Sequence, residues 1–156
     1  MRYLISYLYH FIVSNSRHGT HSPFVYDLAS KVIYNVAYKS SSHVDFPVGF
    51  NPKYLPLLKK ILSYWKVEKL GDDINNKDVN AYWINQPNIE VEELLKLVDE
   101  GKILIVDKPY SLKNKSLWNK LIDDRRVIVS INMFHFGIVL KREGQRKEDF
   151  LLRYLG

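Results

Sequence analysis

Ala81-Tyr82-Trp83-Ile84, Val91-Glu92-Glu93-Leu94-Leu95-Lys96-Leu97-Val98-Asp99 and Ile103-Leu104-Ile105-Val106 are the three runs whose reading decides the fold. The outer two are short and continuously apolar, the pattern of strands buried on both faces of a parallel sheet. The middle run has apolar residues at helical spacing, with Gly101 as its stop. Strand, helix and strand in that order form a crossover unit, so the two strands are expected to be parallel neighbours.

Upstream, Val67 to Leu70 reads as a further short strand, and Tyr54 to Trp65 as a helix carried by Leu55, Leu58, Ile61 and Leu62 that ends before Lys66. Ser40 to Asp45 is a polar loop, and Pro47 and Pro52 add rigid turns. Pro23 to Tyr34 is a second helix, with Ser22 as N-cap and Pro23 at the first helical position. Downstream, Ser116 to Asp123 is a short helix. Val127 to Met133 and Gly137 to Arg142 are an antiparallel pair, and Phe150 to Tyr154 is a last strand.

The N-terminal run Tyr3 to Val13 is apolar on most sides through Leu4, Ile5, Leu8, Phe11, Ile12 and Val13. At about 11 residues it is well short of the ~20 needed to cross a bilayer. It reads as a buried or dimer-forming helix, with Leu4, Leu8, Phe11 and Ile12 expected to pack against the domain or a second copy. Tyr3, Tyr7 and His10 interrupt the apolar surface and give a second reading, an interfacial membrane helix.

The chain has 156 residues, 46% hydrophobic and 26% charged, enough for one core. A single domain over 1–156 is expected, with an N-terminal helical module (1–65) and a reduced α/β sheet (66–156). With no cysteine, disulfides, thiolate metal sites and cysteine nucleophiles are excluded, and a reducing cytoplasm is the expected location. The stretch from Lys108 to Lys147 holds ten Lys and Arg against Asp123, Asp124 and Glu143, or +7 where the whole chain is +6. Such a region attracts polyanions, and Tyr110, Trp118 and Phe134 offer stacking surfaces, so nucleic-acid binding is one reading.

Few residues suggest chemistry by spacing. His18 and His21 flank Gly19 in the turn before the second helix, where orienting bonds to backbone carbonyls outweigh metal ligation. His135 sits between Phe134 and Phe136 at the strand connection, a rim residue or a substrate contact. Asp72-Asp73 and Asp123-Asp124 are adjacent pairs whose side chains diverge, which suits turns and helix ends better than a shared site. No metal site is expected.

Two longer stretches carry a family resemblance. Arg17-His18-Gly19-Thr20-His21-Ser22-Pro23-Phe24-Val25-Tyr26-Asp27 resembles the N-terminal signature of a group of bacterial class I S-adenosylmethionine-dependent methyltransferases of the O-methyltransferase type, and Arg126 to Arg142 resembles the terminal strand pair of the same group. The resemblance implies an α/β fold with a shortened Rossmann-like methyltransferase sheet: parallel strands, a C-terminal antiparallel pair and N-terminal helices. In that topology Gly137 to Arg142 lies antiparallel between the Ile103 and Val127 strands. It also implies that an active enzyme would hold S-adenosylmethionine at Gly71 and Asp72, with Asp107 as its catalytic carboxylate.

The departures from the pattern carry their own implication. Lys69 stands where an acid is expected, and Asn75 where a second glycine is. Asp72 to Asn80 is too short for the two strand–helix units that embrace the adenosine. Asn85-Gln86-Pro87-Asn88 replaces an aspartate and a Gly-Asn-His run, and Lys108 replaces the second of two acids, leaving Asp107 and Trp118 from that region. The expectation is therefore a pseudoenzyme with no cofactor, acting in regulation or assembly through its N-terminal helices on a protein partner or a second copy. An active minimal methyltransferase is the second reading, and a basic nucleic-acid-binding module the third.

Overall fold

The computed structural model describes residues 2–13, 22–86 and 88–154, and the side chains of 11–13 lie outside the described part. The expected strand–helix–strand unit is there: β2 (Ala81–Ile84) and α4 (Val91–Asp99) have the borders as read, and β3 (Ile103–Asp107) runs one residue further, with Gly101 at φ +89° turning the chain out of the helix. Strands β2 and β3 are parallel in the register Ala81 to Ile103 through Ile84 to Val106. Beyond them lie α5 (Lys115–Asp123), β4 (Val129–Asn132), β5 (Phe136–Leu140) and β6 (Glu148–Leu151). The last strand thus starts earlier than the apolar run from Phe150 suggested, because Glu148 and Asp149 pair with Val129 and Ser130. Asp149 also accepts the Ser130 hydroxyl at 2.6 Å.

Ahead of the unit are α1 (Arg2–Val13), α2 (Pro23–Leu28) continued by a π-helical turn over Ala29–Ile33, α3 (Leu55–Tyr64) and β1 (Leu70–Gly71). Ser22 caps α2 by accepting the Val25 N–H, with Pro23 in the first turn. The strand expected from Val67 shrinks to two residues for a local reason. Lys66 takes a left-handed φ of 58° to leave α3, and the Val67 N–H is spent on Leu62 O at 2.8 Å.

The six strands run in the order β1-β2-β3-β5-β4-β6. Only β5 is reversed, inserted antiparallel between β3 and β4, while β6 lies parallel to β4. On its outer side β1 is met by a single parallel bridge between Asp45 and Lys69, in which Leu70 N–H donates to Asp45 O at 2.8 Å.

Alternation along each strand feeds two cores. Ala81, Trp83, Ile105, Ile131 and Ile138 face Val25, Leu28, Val32, Leu58, Ile61 and Leu62 of α2, its π turn and α3. Tyr82, Ile84, Leu104, Val106 and Val139 face Leu94, Leu97, Val98, Leu117, Trp118 and Leu121 of α4 and α5. Helices on both faces of a mostly parallel sheet make a three-layer α/β domain. Gly137 is required by this packing: a Cβ there would lie 2.4 Å from two Trp118 ring carbons and 2.9 Å from Pro109 Cγ.

Helix α1 corrects the first half of one expectation. On the single chain Leu4 and Leu8 are exposed rather than packed against the domain, because the helix turns its other side inward. Tyr3 and Tyr7 meet the Phe134 ring edge-on with centroids 5.6 and 5.2 Å away, and buried His10 Nε2 bonds Asn132 O at 3.2 Å. The matching expectation for Phe11 and Ile12 falls on side chains outside the described part, as do His18 and His21 as residues.

Candidate functional site

Parallel strands deliver the residues after their carboxyl ends to one rim of the sheet, where α/β proteins place their ligand clefts. Asp72 follows β1, Asn85 and Gln86 follow β2, and Asp107 ends β3 with Lys108 next to it. Together with Tyr54 and Trp83 they line a cleft of about 310 Å³, at the small end of the range for ligand pockets. Across Tyr54 lies a second cleft of about 560 Å³ walled by Tyr3, Tyr7, Lys53, Met133 and His135.

Tyr54 is shared by the two clefts, and rings are packed behind it. Tyr54 and His135 lie face to face at 29° with centroids 5.8 Å apart, His135 meets Phe134 at 5.1 Å, and Tyr110 stacks on Phe134 at 4.1 Å. The backbone is bent to allow this. Lys108 (φ 40°) and Phe134 (φ 70°) are both left-handed without being glycine, a conformation costing roughly 1–2 kcal/mol per residue. Hydrogen bonds hold both bends: Lys108 N–H donates to His135 O at 2.9 Å, and Phe134 N–H to the Asn132 side-chain oxygen at 2.8 Å. Asn114, itself buried, donates its side-chain amide to Asp107 O and fixes the end of β3.

Burial sets the electrostatics. It raises the Asp107 carboxyl above its ordinary value, against the opposing pull of Lys108 and Lys113; the Lys108 ammonium is 4.0 Å from the carboxylate. Burial pushes the Tyr54 phenol up to about 12, with the Asp107 charge adding to it. It lowers His135 to about 4, helped by Lys53, His10 and Lys108. At neutral pH the rim therefore presents a neutral imidazole and a neutral phenol beside the Asp107 carboxyl. These groups can accept and donate hydrogen bonds to a small polar ligand. Among the described residues no three His, Cys, Asp or Glu side chains are grouped to hold a metal.

Asp72 and Asp107, read from the sequence as cofactor and catalytic candidates, line the same cleft. Gly71 does not. It sits inside β1 paired with Tyr82, and the space beside it is taken by Val79, whose Cγ2 would be 2.8 Å from an added Cβ. His135 is half-buried in the ring stack rather than free at the rim. Tyr54 and Trp83 were read only as apolar helix and strand positions, and no spacing in the sequence marks them as walls of a cleft. Part of the basic run is engaged internally: Arg126 bonds Glu92 and Asp124, Lys141 pairs with Asp99 at 2.9 Å, Lys147 caps the carbonyls of Asp124 and Val127, and Arg142 lies over the Phe24 ring.

No protein-family model, curated protein or solved structure matches the chain.

Proposed function

We propose that this protein is a methyltransferase-like pseudoenzyme with a regulatory or assembly role. One observation carries the reading: the strand order β1-β2-β3-β5-β4 with β5 alone reversed. It is the order implied by the resemblance for the sheet from its first strand onward. On the other side of β1, where the adenosine-binding strands would continue, the chain instead supplies the Asp45 bridge, and only the short loop from Asp72 to Asn80 joins β1 to β2.

The residues present do not fit S-adenosylmethionine. A cofactor in this position needs a backbone turn it can approach closely, and the small size of Gly71 is already used by Val79. The ribose carboxylate has no strand to carry it, and Lys108 sets a cation beside Asp107, repelling a sulfonium. The placement of Asp72 and Asp107 in one cleft favours the active minimal enzyme as the second reading.

Calorimetric titration with S-adenosylmethionine and with its demethylated product separates the two. No saturable heat from micromolar to sub-millimolar ligand is expected. An isotherm abolished by Asp107→Ala in a protein that still melts cooperatively would overturn the pseudoenzyme reading.

A further inference from the structure

We propose that the chain binds the surface of an anionic lipid bilayer through the outward face of α1 and the adjoining lysines of α5. Leu4, Ile5, Leu8 and Tyr9 are 66%, 63%, 58% and 69% exposed. Their spacing along a helix places them in one stripe, opposite the Tyr3, Tyr7 and His10 side that grips the domain. α1 contains no acid, and Arg2 stands at its start. The stripe continues onto the body of the protein. Ile5 and Tyr9 share a groove of about 500 Å³ with Tyr110, Lys115, Trp118 and Ile122. Next to it Lys115, Lys120 and Leu112, itself 73% exposed, border a shallower hollow in which Asp123 is the single acid.

Charge selects the occupant. While Arg126, Lys141 and Lys147 are used internally, the side chains of Lys115 and Lys120 have no hydrogen-bond or ion-pair partner among the described residues. A second copy on this face in a two-fold contact would bring the same lysines together. An anionic bilayer satisfies both features at once, taking the aliphatic stripe into the acyl boundary and the ammonium groups into the headgroup layer. No described helix is long and apolar enough to cross a membrane, so the association is peripheral.

The test is flotation of the whole chain with vesicles of phosphatidylcholine containing phosphatidylglycerol, with vesicles of phosphatidylcholine alone, and with heparin as a soluble polyanion, at low and high salt. Binding to the anionic vesicles is expected, weakened by salt. Leu8→Asp should lower the partition coefficient more than about tenfold, and Lys115→Gln and Lys120→Gln about fivefold each. The lysine variants probe the same face without altering α1, and thermal melting checks that each variant is folded. Absence of binding to anionic vesicles, or binding untouched by Leu8→Asp, overturns the proposal. So does heparin binding as tight as vesicle binding. A dimer in sedimentation velocity that Leu8→Asp splits, without vesicle binding, would assign the stripe to a second copy.

Discussion

Helices α1 and α4 are of similar length and each carries four large apolar side chains in a stripe, yet the domain treats them in opposite ways. Helix α4 turns Leu94, Leu95, Leu97 and Val98 into the sheet and keeps Glu92, Glu93 and Lys96 outside. Its acids stand in the first turn, where they complement the helix dipole, and Glu92 accepts from Arg126, in the connection between α5 and β4, at 2.9 Å. Helix α1 docks by aromatic edges and one histidine and leaves its aliphatic side to the surroundings. Amphipathicity alone does not say which side of a helix faces the core. The side with the better partners does, and for α1 those are the rings of Tyr110, Phe134 and His135.

That contrast can be broken most forcefully on the closed side. Gly137→Val would drive a branched side chain into the buried Trp118 ring, 2.4 Å from where its Cβ would stand. Loss of the cooperative thermal transition, or a destabilisation above about 3 kcal/mol, is expected. Retention of the wild-type melting temperature would mean that α5 sits elsewhere on the sheet.

The two helices can then be compared directly in denaturant titrations. Leu94→Ala removes a fully buried side chain and should cost about 2–5 kcal/mol, whereas Leu8→Ala should stay within about 0.5 kcal/mol of wild type. Equal losses would show that α1 buries its aliphatic side in solution, by folding over or by pairing.

A smaller effect concerns the docking of α1 at the rim. His135 has its folded pKa lowered to about 4 by burial and by nearby cations, against an ordinary value near 6.5. The folded state thus binds the proton less readily than the unfolded chain. Its stability is intact above about pH 6.5 and falls as the pH drops toward 4, on the order of 1–2 kcal/mol after allowance for partial exposure. His10, also lowered by burial, adds to the loss in the same direction. Melting temperatures of wild type and His135→Gln between pH 7 and pH 4.5 should converge as the pH falls. A constant difference would place His135 in water.

The sequence was most readable where a signal is local. The unit β2, α4 and β3 carries its own periodicity and its own stop at Gly101, so its borders fall within one residue of the expected ones. The reversed strand between β3 and β4 came from the family resemblance, since no local pattern specifies which strands become neighbours. Two elements resisted for identifiable reasons. The apolar run at Val67 looked like a strand, but the left-handed Lys66 spends its first donor on the helix end. The inward side of α1 was hidden because Leu, Ile and Tyr occur all around it. At the site, Asp72 and Asp107 were named by the family resemblance and not by a local pattern, and they line one cleft. Tyr54 and Trp83 were missed because a ring in a cleft wall and a ring in a core are written with the same letters.

The bridge that Asp45 makes to β1 also bears on how the protein keeps company with itself at high concentration. An open sheet margin with several free donors and acceptors in a row invites strands from other molecules and can seed fibrils. Here β1 is only two residues long, and Leu70 N–H on its outer side is already bonded to Asp45 O. The opposite margin, β6, carries Glu148 and Asp149 along a strand of four residues. Like charges on such a strand oppose stacking against a copy of itself. Both margins therefore resist being extended, so the sheet can remain small without becoming a template.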